Sequence, residues 1–546
     1  MAPLDLASCG LPEAWAHRNA WTVLDTDFQD GQHFLNTWRA WQNDPHRPRM
    51  LHYVGIAATP PDVATVPELA EHVAGLGPGF HRILLDQARV SLTLCVGDVL
   101  ALLGGHAFQA DTLFARAPVD KWEVQALARR SKRGCRFWIS ATEAPAWLQA
   151  AGFQLGASPP NDARLTGRFD PHWAIPTGRT HSQHVYAKPA RCAIVGAGIA
   201  GASVAHALAL RGWEVTVFDE AEQPAAGASG LPVGLAVPRV SADDNPRARL
   251  SRSGVRLLRQ HAQRMLVCGQ DWNPSGVTEH RPDGSKLWHV DACWIKPAAL
   301  VRAWLAHPGI RFVGSRRVTV LRRVGSVWRL GSDQDLGSFE TVVIANAAGS
   351  ADLLSCLQAD DSVNAELRDK LAALQEIHGT LSHGTYAQPM PGLPQTPVNG
   401  DGCFIPHVPD AQGELWCAGS TFETDVLLVA DQAAQHAANM ERLQHLLDMD
   451  GMGDVEELNR GSVSQWSGTR CVTHDRIPLV GPIKTASGPG LWLCAGMGSR
   501  GLSFSALCAE LLVARLGAEP LPMEFSLSRS LDANRPRRRQ PVPPEH

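Results

Sequence analysis

The feature that most constrains the fold is a glycine-rich turn between a short apolar strand and a helix. It lies in RCAIVGAGIAGASVAHALALRGWEVTVFDEA, which begins at Arg191, and a second strand, EVTVF, then ends at an acid. Glycines in the pattern GxGxxG permit a tight turn and a close approach to a pyrophosphate, and the acid accepts a hydrogen bond from a ribose hydroxyl. The segment therefore predicts a dinucleotide site formed by Gly196, Gly198, Gly201 and Asp219.

Two further segments help to decide which dinucleotide is bound. AEQPAAGASGLPVGLAVP follows the second strand directly, and LWLCAGMGSRGLSFSALCAELLVARL, a strand, a glycine turn and an apolar helix, lies near the end of the chain. A chain that returns to the cofactor at its far end resembles FAD enzymes of the D-amino-acid oxidase type, in which the late segment closes around the flavin. We therefore predict FAD as the cofactor, with further contacts from Ser229, Gly230, Gly234, Gly498 and Gly501.

The length of 546 residues predicts more than one domain. Strand-like and helical runs alternate in residues 1–174, and the polar, proline-bearing residues 175–190 are typical of a linker. A second α/β region spans residues 191–535, and the remaining residues, 536–546, are predicted to be disordered. The fold class is therefore α/β, with two Rossmann-type domains.

Composition excludes several classes of protein. The 12 cysteines include no CxxC pair, which disfavours a zinc site or a disulfide framework and indicates reduced thiols. The net charge of −4 does not by itself favour binding of nucleic acid. The segment MAPLDLASCG lacks the features of a signal peptide, and no apolar run is long enough to span a membrane. We expect a cytoplasmic protein with no membrane contact and no metal site.

Several separated motifs resemble the bifunctional tRNA 5-methylaminomethyl-2-thiouridine biosynthesis family. They are GASG, DACWIKPAAL, CAGSTFETD, GTRCVTHDRIPLVGP and GSRGL followed by LCAELL, within residues 190–535. The resemblance implies a D-amino-acid oxidase-like FAD domain with a mixed-sheet substrate subdomain. It also implies the reaction, oxidative removal of the carboxymethyl group from 5-carboxymethylaminomethyl-2-thiouridine at the tRNA wobble position. We expect tRNA as the partner of a monomeric protein.

The substrate arm carries a carboxylate, and a buried carboxylate favours the planar fork of an arginine. Arg470, in GTR, matches the position whose arginine holds the substrate carboxylate in related amine oxidases, and Arg500, in GSRG, is the second candidate. A structural ion pair is the alternative role for each. We expect His474 and Asp475 to shape the turn rather than to transfer protons.

The N-terminal region resembles the methyltransferase domain of the same family, which uses S-adenosylmethionine to methylate the amine that the oxidase exposes. VLDTDFQDGQHFLNTWRAW occupies the glycine-rich turn of that domain, but Asp27 and Gln29 replace two of its glycines and Asp30 adds charge. Ala57 stands where the family has the acid for the ribose hydroxyls, and the shortened segment DTLFARAP lacks the catalytic acid. We predict a methyltransferase-type fold that has lost methyl transfer. The remaining donor-site residues are Asp25, Gly31 and Asp98.

Two basic clusters suggest a role for the N-terminal domain and the tail in binding tRNA phosphates. Solvated surface charge is the alternative for both clusters, and the N-terminal domain is equally compatible with a scaffold for the oxidase. The clusters contain Arg129, Arg130, Lys132, Arg133 and Arg136 in one case, and Arg535, Arg537, Arg538 and Arg539 in the other.

Two other functions are compatible with the same motifs. The first is a small-molecule amine oxidase of the glycine or sarcosine oxidase type, which uses the same fold and chemistry. The appended N-terminal domain and the basic clusters argue against it. The second is a non-catalytic tRNA-binding flavoprotein that keeps FAD as a structural element. Oxidation of free glycine in the absence of tRNA would favour the first function. Failure of the modified tRNA to reduce the flavin would favour the second.

Overall fold

The computed structural model describes most of the chain. The described residues are 6–63, 66–141, 146–156, 164–173, 187–357, 365–411, 413–425, 431–448, 455–485 and 488–536. Most of the predicted linker and tail, including Arg537, Arg538 and Arg539, therefore lies outside them. In these residues, no helix is long and apolar enough to cross a membrane.

The described residues divide into two compact units. The first holds the residues up to Pro189 together with Leu210–Gly212 and Val513–Arg529. The second holds Ala190–Ala209, Trp213–Leu512 and the residues from Ser530 onward.

Strands and helices alternate in the first unit, as the sequence predicts. In chain order they are β1 (Ala20–Asp25), α1 (Gln32–Asn43), β2 (Met50–Ala57), α2 (Pro67–Val73), β3 (Gly79–Leu85), β4 (Val90–Val96), α3 (Val99–Gly105), β5 (Ala110–Arg116), α4 (Lys121–Arg129), β6 (Ser131–Ser140), α5 (Ala146–Ala150), β7 (Phe153–Leu155) and β8 (Leu165–Phe169).

The eight strands form one sheet in the order β3–β4–β2–β1–β5–β6–β8–β7. The central strands are parallel, and β3, β7 and β8 are antiparallel to their neighbours. Strands β2 and β4 are buried along their whole length, which explains their continuous apolar runs. The predicted Rossmann-like architecture of this unit is confirmed.

A buried ion pair stabilises the first unit. The Nε atom of Arg211 donates to both carboxylate oxygens of Glu519, at 2.9 and 2.8 Å, and the two side chains are only 4% and 10% exposed. The Nε2 atom of His52 lies 3.5 Å from the same carboxylate. Burial alone would raise the pKa of Glu519, but the charges of Arg211 and His52 hold it far below its usual range.

The remaining elements begin at Arg191. They are β9 (Arg191–Val195), α6 (Ile199–Leu210), β10 (Glu214–Phe218), β11 (Gly234–Ala236), α7 (Pro246–Met265), β12 (Trp272–Asn273), β13 (Val277–His280), β14 (Lys286–His289), β15 (Cys293–Ile295), α8 (Pro297–Leu305), β16 (Ile310–Val313), β17 (Val320–Val324), β18 (Val327–Gly331), β19 (Asp335–Phe339), β20 (Thr341–Ile344), α9 (Gly349–Ser355), α10 (Ala365–Ala372), β21 (Gln375–Thr385), β22 (Val398–Gly400), β23 (Gly402–Asp410), β24 (Gly413–Gly419), α11 (Gln432–Asp448), β25 (Val463–Val472), β26 (Leu479–Pro482), β27 (Leu491–Ala495), α12 (Gly501–Gly517) and α13 (Phe525–Arg529).

Two large sheets organise the second unit. The first has the order β16–β10–β9–β20–β27–β26, and all its pairs are parallel except β26 with β27. The second has the order β14–β13–β22–β23–β24–β21–β25 and combines one parallel pair, β13 with β22, with antiparallel pairs. It is the mixed sheet that the resemblance implies. The parallel sheet carries the glycine turn between β9 and α6.

Candidate active site

The three glycines of the turn after β9 are required for different reasons. Gly196 has φ +106°, and an added Cβ would lie 2.7 Å from the carbonyl oxygen of Ala345. A Cβ on Gly201 would collide with the carbonyl oxygen of Gly196, where the helix packs against the strand. A Cβ on Gly198 would have only the Oγ atom of Ser229 within 4 Å, at 3.3 Å. Gly198 is thus the position where the backbone is open to a ligand.

Asp219 and Ser229 hold this turn in place. The carboxylate of Asp219 accepts hydrogen bonds from the backbone N–H groups of Ala197, at 2.6 Å, and Ala221, at 2.9 Å. The Oγ atom of Ser229 accepts from the N–H of Ile199 at 2.9 Å. Both residues also line the cavity in front of the turn, so they are placed to contact a ligand as well as the backbone.

That cavity lies within the second unit and has a volume of about 840 Å³, which is in the range of small-molecule and cofactor sites. It brings together most of the residues that the sequence predicts. Gly201 and Gly230 do not line it, and their backbone surroundings give them a structural role instead. The predicted residues that line it are Gly196, Gly198, Asp219, Ser229, Gly234, Arg470, Gly498, Arg500 and Gly501.

Arg470 projects from β25 and is held by the segment after β24. Its Nη1 atom donates to the carbonyl oxygen of Thr421 at 3.2 Å, and its Nη2 atom donates to the Oγ atom of Ser420 at 2.5 Å. Its Cζ atom lies 4.5 Å from the ring centroid of Phe422. A guanidinium has five N–H groups and these contacts use two, so N–H groups are left for a carboxylate. Burial lowers the pKa of Arg470.

Arg500 lines the same cavity from the short turn Gly498–Arg500. Its Nη1 atom donates to the carbonyl oxygen of Val237 at 3.3 Å. Burial and the nearby charge of Arg239 lower the pKa of Arg500. Two arginines therefore face one cavity, and neither has an ion-pair partner among the described residues.

His474 and Asp475 do not line the cavity. The carboxylate of Asp475 accepts from the Nη2 atom of Arg535 at 2.8 and 3.0 Å, and from the N–H of Ile477 at 3.1 Å. Asp475 thus fixes its own turn to the segment around Arg535. That arginine, which we grouped with the basic tail, has an intramolecular partner.

Residues of the N-terminal turn after β1 contact one another and side chains of β2 and α1. Asp25 is fully buried and accepts from the hydroxyl of Tyr53 at 2.6 Å, and the Nδ1 atom of His33 lies 3.4 Å from it. Burial alone would lower the pKa of His33, but Asp25 raises it. Gln29 donates to Asp27 at 2.6 Å. Asp25 is therefore already engaged by the protein.

Other N-terminal positions singled out in the sequence also have structural partners. Asp98 caps α3 by accepting from the N–H of Ala101 at 2.8 Å. Asp30 accepts from the N–H of Gln32 at 3.1 Å, at the start of α1. Ala57 is buried at the end of β2. Gly31 is the N-cap of α1, with φ +83°.

Three residues of the N-terminal basic cluster have hydrogen-bond partners within the protein, and two of them are paired with acids. Lys132 donates to both carboxylate oxygens of Asp111 at 2.8 Å. Arg133 contacts Asp170 at 3.0 Å, and Arg130 donates to backbone carbonyls. Arg129 and Arg136 are exposed surface charges, and the side chains of Lys132 and Arg133 remain 45% and 50% exposed. The structure therefore favours a structural role for three of the five.

Sequence reasoning did not single out three further residues that line the cavity. They are Glu376, Phe422 and Trp466. Phe422 lies in the motif CAGSTFETD, and Trp466 lies just before GTR. For Phe422 and Trp466, the position within or beside a motif was the only available signal, and Glu376 had no such signal, because side-chain exposure in a cavity depends on the assembled sheets.

Comparisons with known proteins identify relatives of this chain. A family model described as FAD dependent oxidoreductase matches residues 191–284 and 270–515. The tRNA 5-methylaminomethyl-2-thiouridine biosynthesis bifunctional protein MnmC of Albidiferax ferrireducens is 43% identical, over 97% of this chain and 95% of that protein. Its counterpart in Polaromonas naphthalenivorans is 39% identical, over 95% and 91%. Glycine oxidase from Geobacillus kaustophilus is 20% identical, with a TM-score of 0.48, over 63% of this chain and 99% of that chain.

Proposed function

The chain belongs to the family of tRNA 5-methylaminomethyl-2-thiouridine biosynthesis bifunctional proteins, and from this premise we propose that it removes the carboxymethyl group from the modified wobble uridine of tRNA. The observation that carries the proposal is the cavity in which the glycine turn and two arginines meet. The same membership makes FAD the cofactor. The opening at Gly198 and the acid Asp219 fit its pyrophosphate and ribose.

The reaction needs little acid–base chemistry from the protein. What FAD supplies when bound is acceptance of a hydride from the carbon between the amine nitrogen and the carboxylate. Loss of that hydride and of the amine proton leaves an imine, which water cleaves to glyoxylate and the aminomethyl uridine. Arg470, assisted by Arg500, would hold the substrate carboxylate and so fix the orientation of the arm within the cavity.

Methyl transfer is lost in this chain, so its product is the unmethylated aminomethyl uridine. Three observations support this part of the proposal. Side chains of Asp27 and Gln29 occupy the turn where the family has glycines, Asp25 is bound by Tyr53, and Ala57 offers no carboxylate to a ribose. The unit keeps its sheet, and it serves as a scaffold or contacts tRNA through its remaining exposed charges. The protein acts as a monomer in the cytoplasm.

The test is anaerobic mixing of the flavin-loaded protein with tRNA that carries carboxymethylaminomethyl uridine. We expect the flavin absorbance to bleach, glyoxylate to be released and mass spectrometry of the wobble nucleoside to show the aminomethyl product. Adding S-adenosylmethionine should leave that product unmethylated. Reduction by free glycine or sarcosine would instead identify a small-molecule oxidase, and a flavin that tRNA cannot reduce would identify a non-catalytic protein.

A further inference from the structure

An aromatic ring lies half exposed on the wall of the active-site cavity. Phe422 is 50% exposed although it is large and apolar, and it lines the cavity together with Arg470. Leaving such a ring in contact with water forgoes the free energy of burying it. The ring is therefore available to a ligand that presents an apolar or aromatic face.

The main chain around Phe422 is fixed on both sides. The N–H of Thr421 donates to the carbonyl oxygen of Thr380 at 3.1 Å, and Glu423 exchanges two backbone hydrogen bonds of 2.8 Å with His378. The two partners, Thr380 and His378, belong to β21. The ring thus stands on a segment tied to the mixed sheet, as a preorganised binding surface requires.

The ring of Phe422 lies directly beside the guanidinium of Arg470, which covers one face of the ring. The Cζ atom of Arg470 lies 4.5 Å from the centroid of the Phe422 ring. Four single bonds, each about 1.5 Å, separate the carboxylate carbon of the arm from the uracil ring. A carboxylate held by Arg470 therefore brings the base into the neighbourhood of the aromatic ring.

We propose that Phe422 is the surface on which the wobble base stacks, and that it selects a nucleotide over a free amino acid. The inference rests on the proposed function, since it presumes that the carboxylate belongs to a modified uridine. Unstacked bases of RNA are bound on aromatic side chains in this way. A free amino acid has no base, so it gains nothing from the ring.

Phe422→Ala tests this assignment, with Phe422→Tyr as the matched control that keeps an aromatic face. Truncation of one stacking side chain weakens binding roughly 5- to 150-fold. We expect the alanine variant to raise the KM for modified tRNA by that factor with kcat nearly unchanged, because stacking binds ground and transition states alike. The tyrosine variant should keep the wild-type KM. Phe422→Leu provides the same comparison if the alanine variant retains too little flavin.

A second measurement separates stacking from mere support of Arg470. Glycolate, a small carboxylate without a base, is titrated into each variant and followed by the flavin spectrum. Unchanged glycolate affinity beside a raised KM for tRNA supports the proposal, whereas parallel losses would overturn it. Wild-type turnover of tRNA with an unchanged KM in Phe422→Ala would also overturn it and leave the proposed function standing. A wild-type protein that never oxidises tRNA would overturn both.

Discussion

Replacing Gly198 with alanine separates the folding of the chain from its ability to hold FAD. A Cβ at this position would have only the Oγ atom of Ser229 within 4 Å. The φ of Gly198 lies outside the left-handed region, so alanine causes no backbone strain. We expect the free energy of unfolding of the flavin-free variant to stay within about 0.5 kcal/mol of the wild-type value.

The same methyl group enters the space in which the pyrophosphate approaches the backbone. One additional methyl group in a well-packed contact costs about 1–3 kcal/mol. The dissociation constant for FAD should therefore rise roughly 5- to 150-fold. Titration of deflavinated protein with FAD, followed by flavin fluorescence, measures this constant directly, and thermal unfolding of the same samples measures stability.

Gly201→Ala is the matched control, because its Cβ collides with the carbonyl oxygen of Gly196 inside the protein rather than in the cavity. This variant should lower the melting temperature even without FAD. A Gly198→Ala protein that binds FAD as tightly as the wild type would refute the assignment of this turn to the pyrophosphate. A large loss of stability in flavin-free Gly198→Ala would show that the added Cβ collides with the protein and would refute the inference that this position is open.

Three further outcomes follow from contacts described above. Arg470→Lys should keep FAD but lower kcat/KM for modified tRNA about 10- to 150-fold, the loss of a charge-assisted contact of about 1.5–3 kcal/mol. Arg442→Lys, whose arginine binds the carbonyl oxygen of Ser420 without lining the cavity, should retain activity in the same steady-state assay. Isothermal titration of the whole protein with S-adenosylmethionine should show no binding, because Asp27 and Gln29 occupy the donor turn. Glu519→Gln should destabilise the first unit by about 3–5 kcal/mol at neutral pH. Since the folded pKa of Glu519 is depressed, the difference in melting temperature should shrink as the pH falls below the ordinary value of 4.5.

For each of these three predictions, a specific experimental result would contradict the reasoning. Unchanged values of kcat and KM in Arg470→Lys would mean that Arg500, rather than Arg470, binds the substrate carboxylate. Tight binding of S-adenosylmethionine would mean that the altered turn forms a donor site in another way. A stability difference between wild type and Glu519→Gln that does not vary with pH would show that the ion pair does not account for it.

The glycine turn of the second unit could be predicted from sequence because its determinants are local. A strand, three spaced glycines, a helix and an acid lie within one stretch of chain. The structure places Gly196, Gly198 and the acid at one cavity, and Gly201 packs the helix against the strand. The cap formed by Asp98 is equally local, since an acid directly before a helix favours that role. The resemblance to the family assigns the same residue to the methyl-donor site, a role that stays a prediction.

The state of the basic cluster could not be predicted in the same way. Lys132 pairs with Asp111 and Arg133 pairs with Asp170, and both acids are distant in the sequence. Sheet formation brings these partners together, so charge counted along the chain overstates the charge offered to tRNA. Phe422 is an apolar residue that the sequence alone would place in the core. Only the assembled sheets reveal that its ring is exposed in a cavity.

The main chain of the N-terminal turn has positive φ angles, which favour glycine, at two positions. Gln29 still has φ +41° and Gly31 has φ +83°, so the main chain keeps a shape that suits glycine more than glutamine. The side chains of this turn therefore lie on a main chain whose conformation suits a glycine-rich loop. Under the proposed loss of methyl transfer, the product of this protein is aminomethyl uridine, and methylation of that product requires a separate methyltransferase.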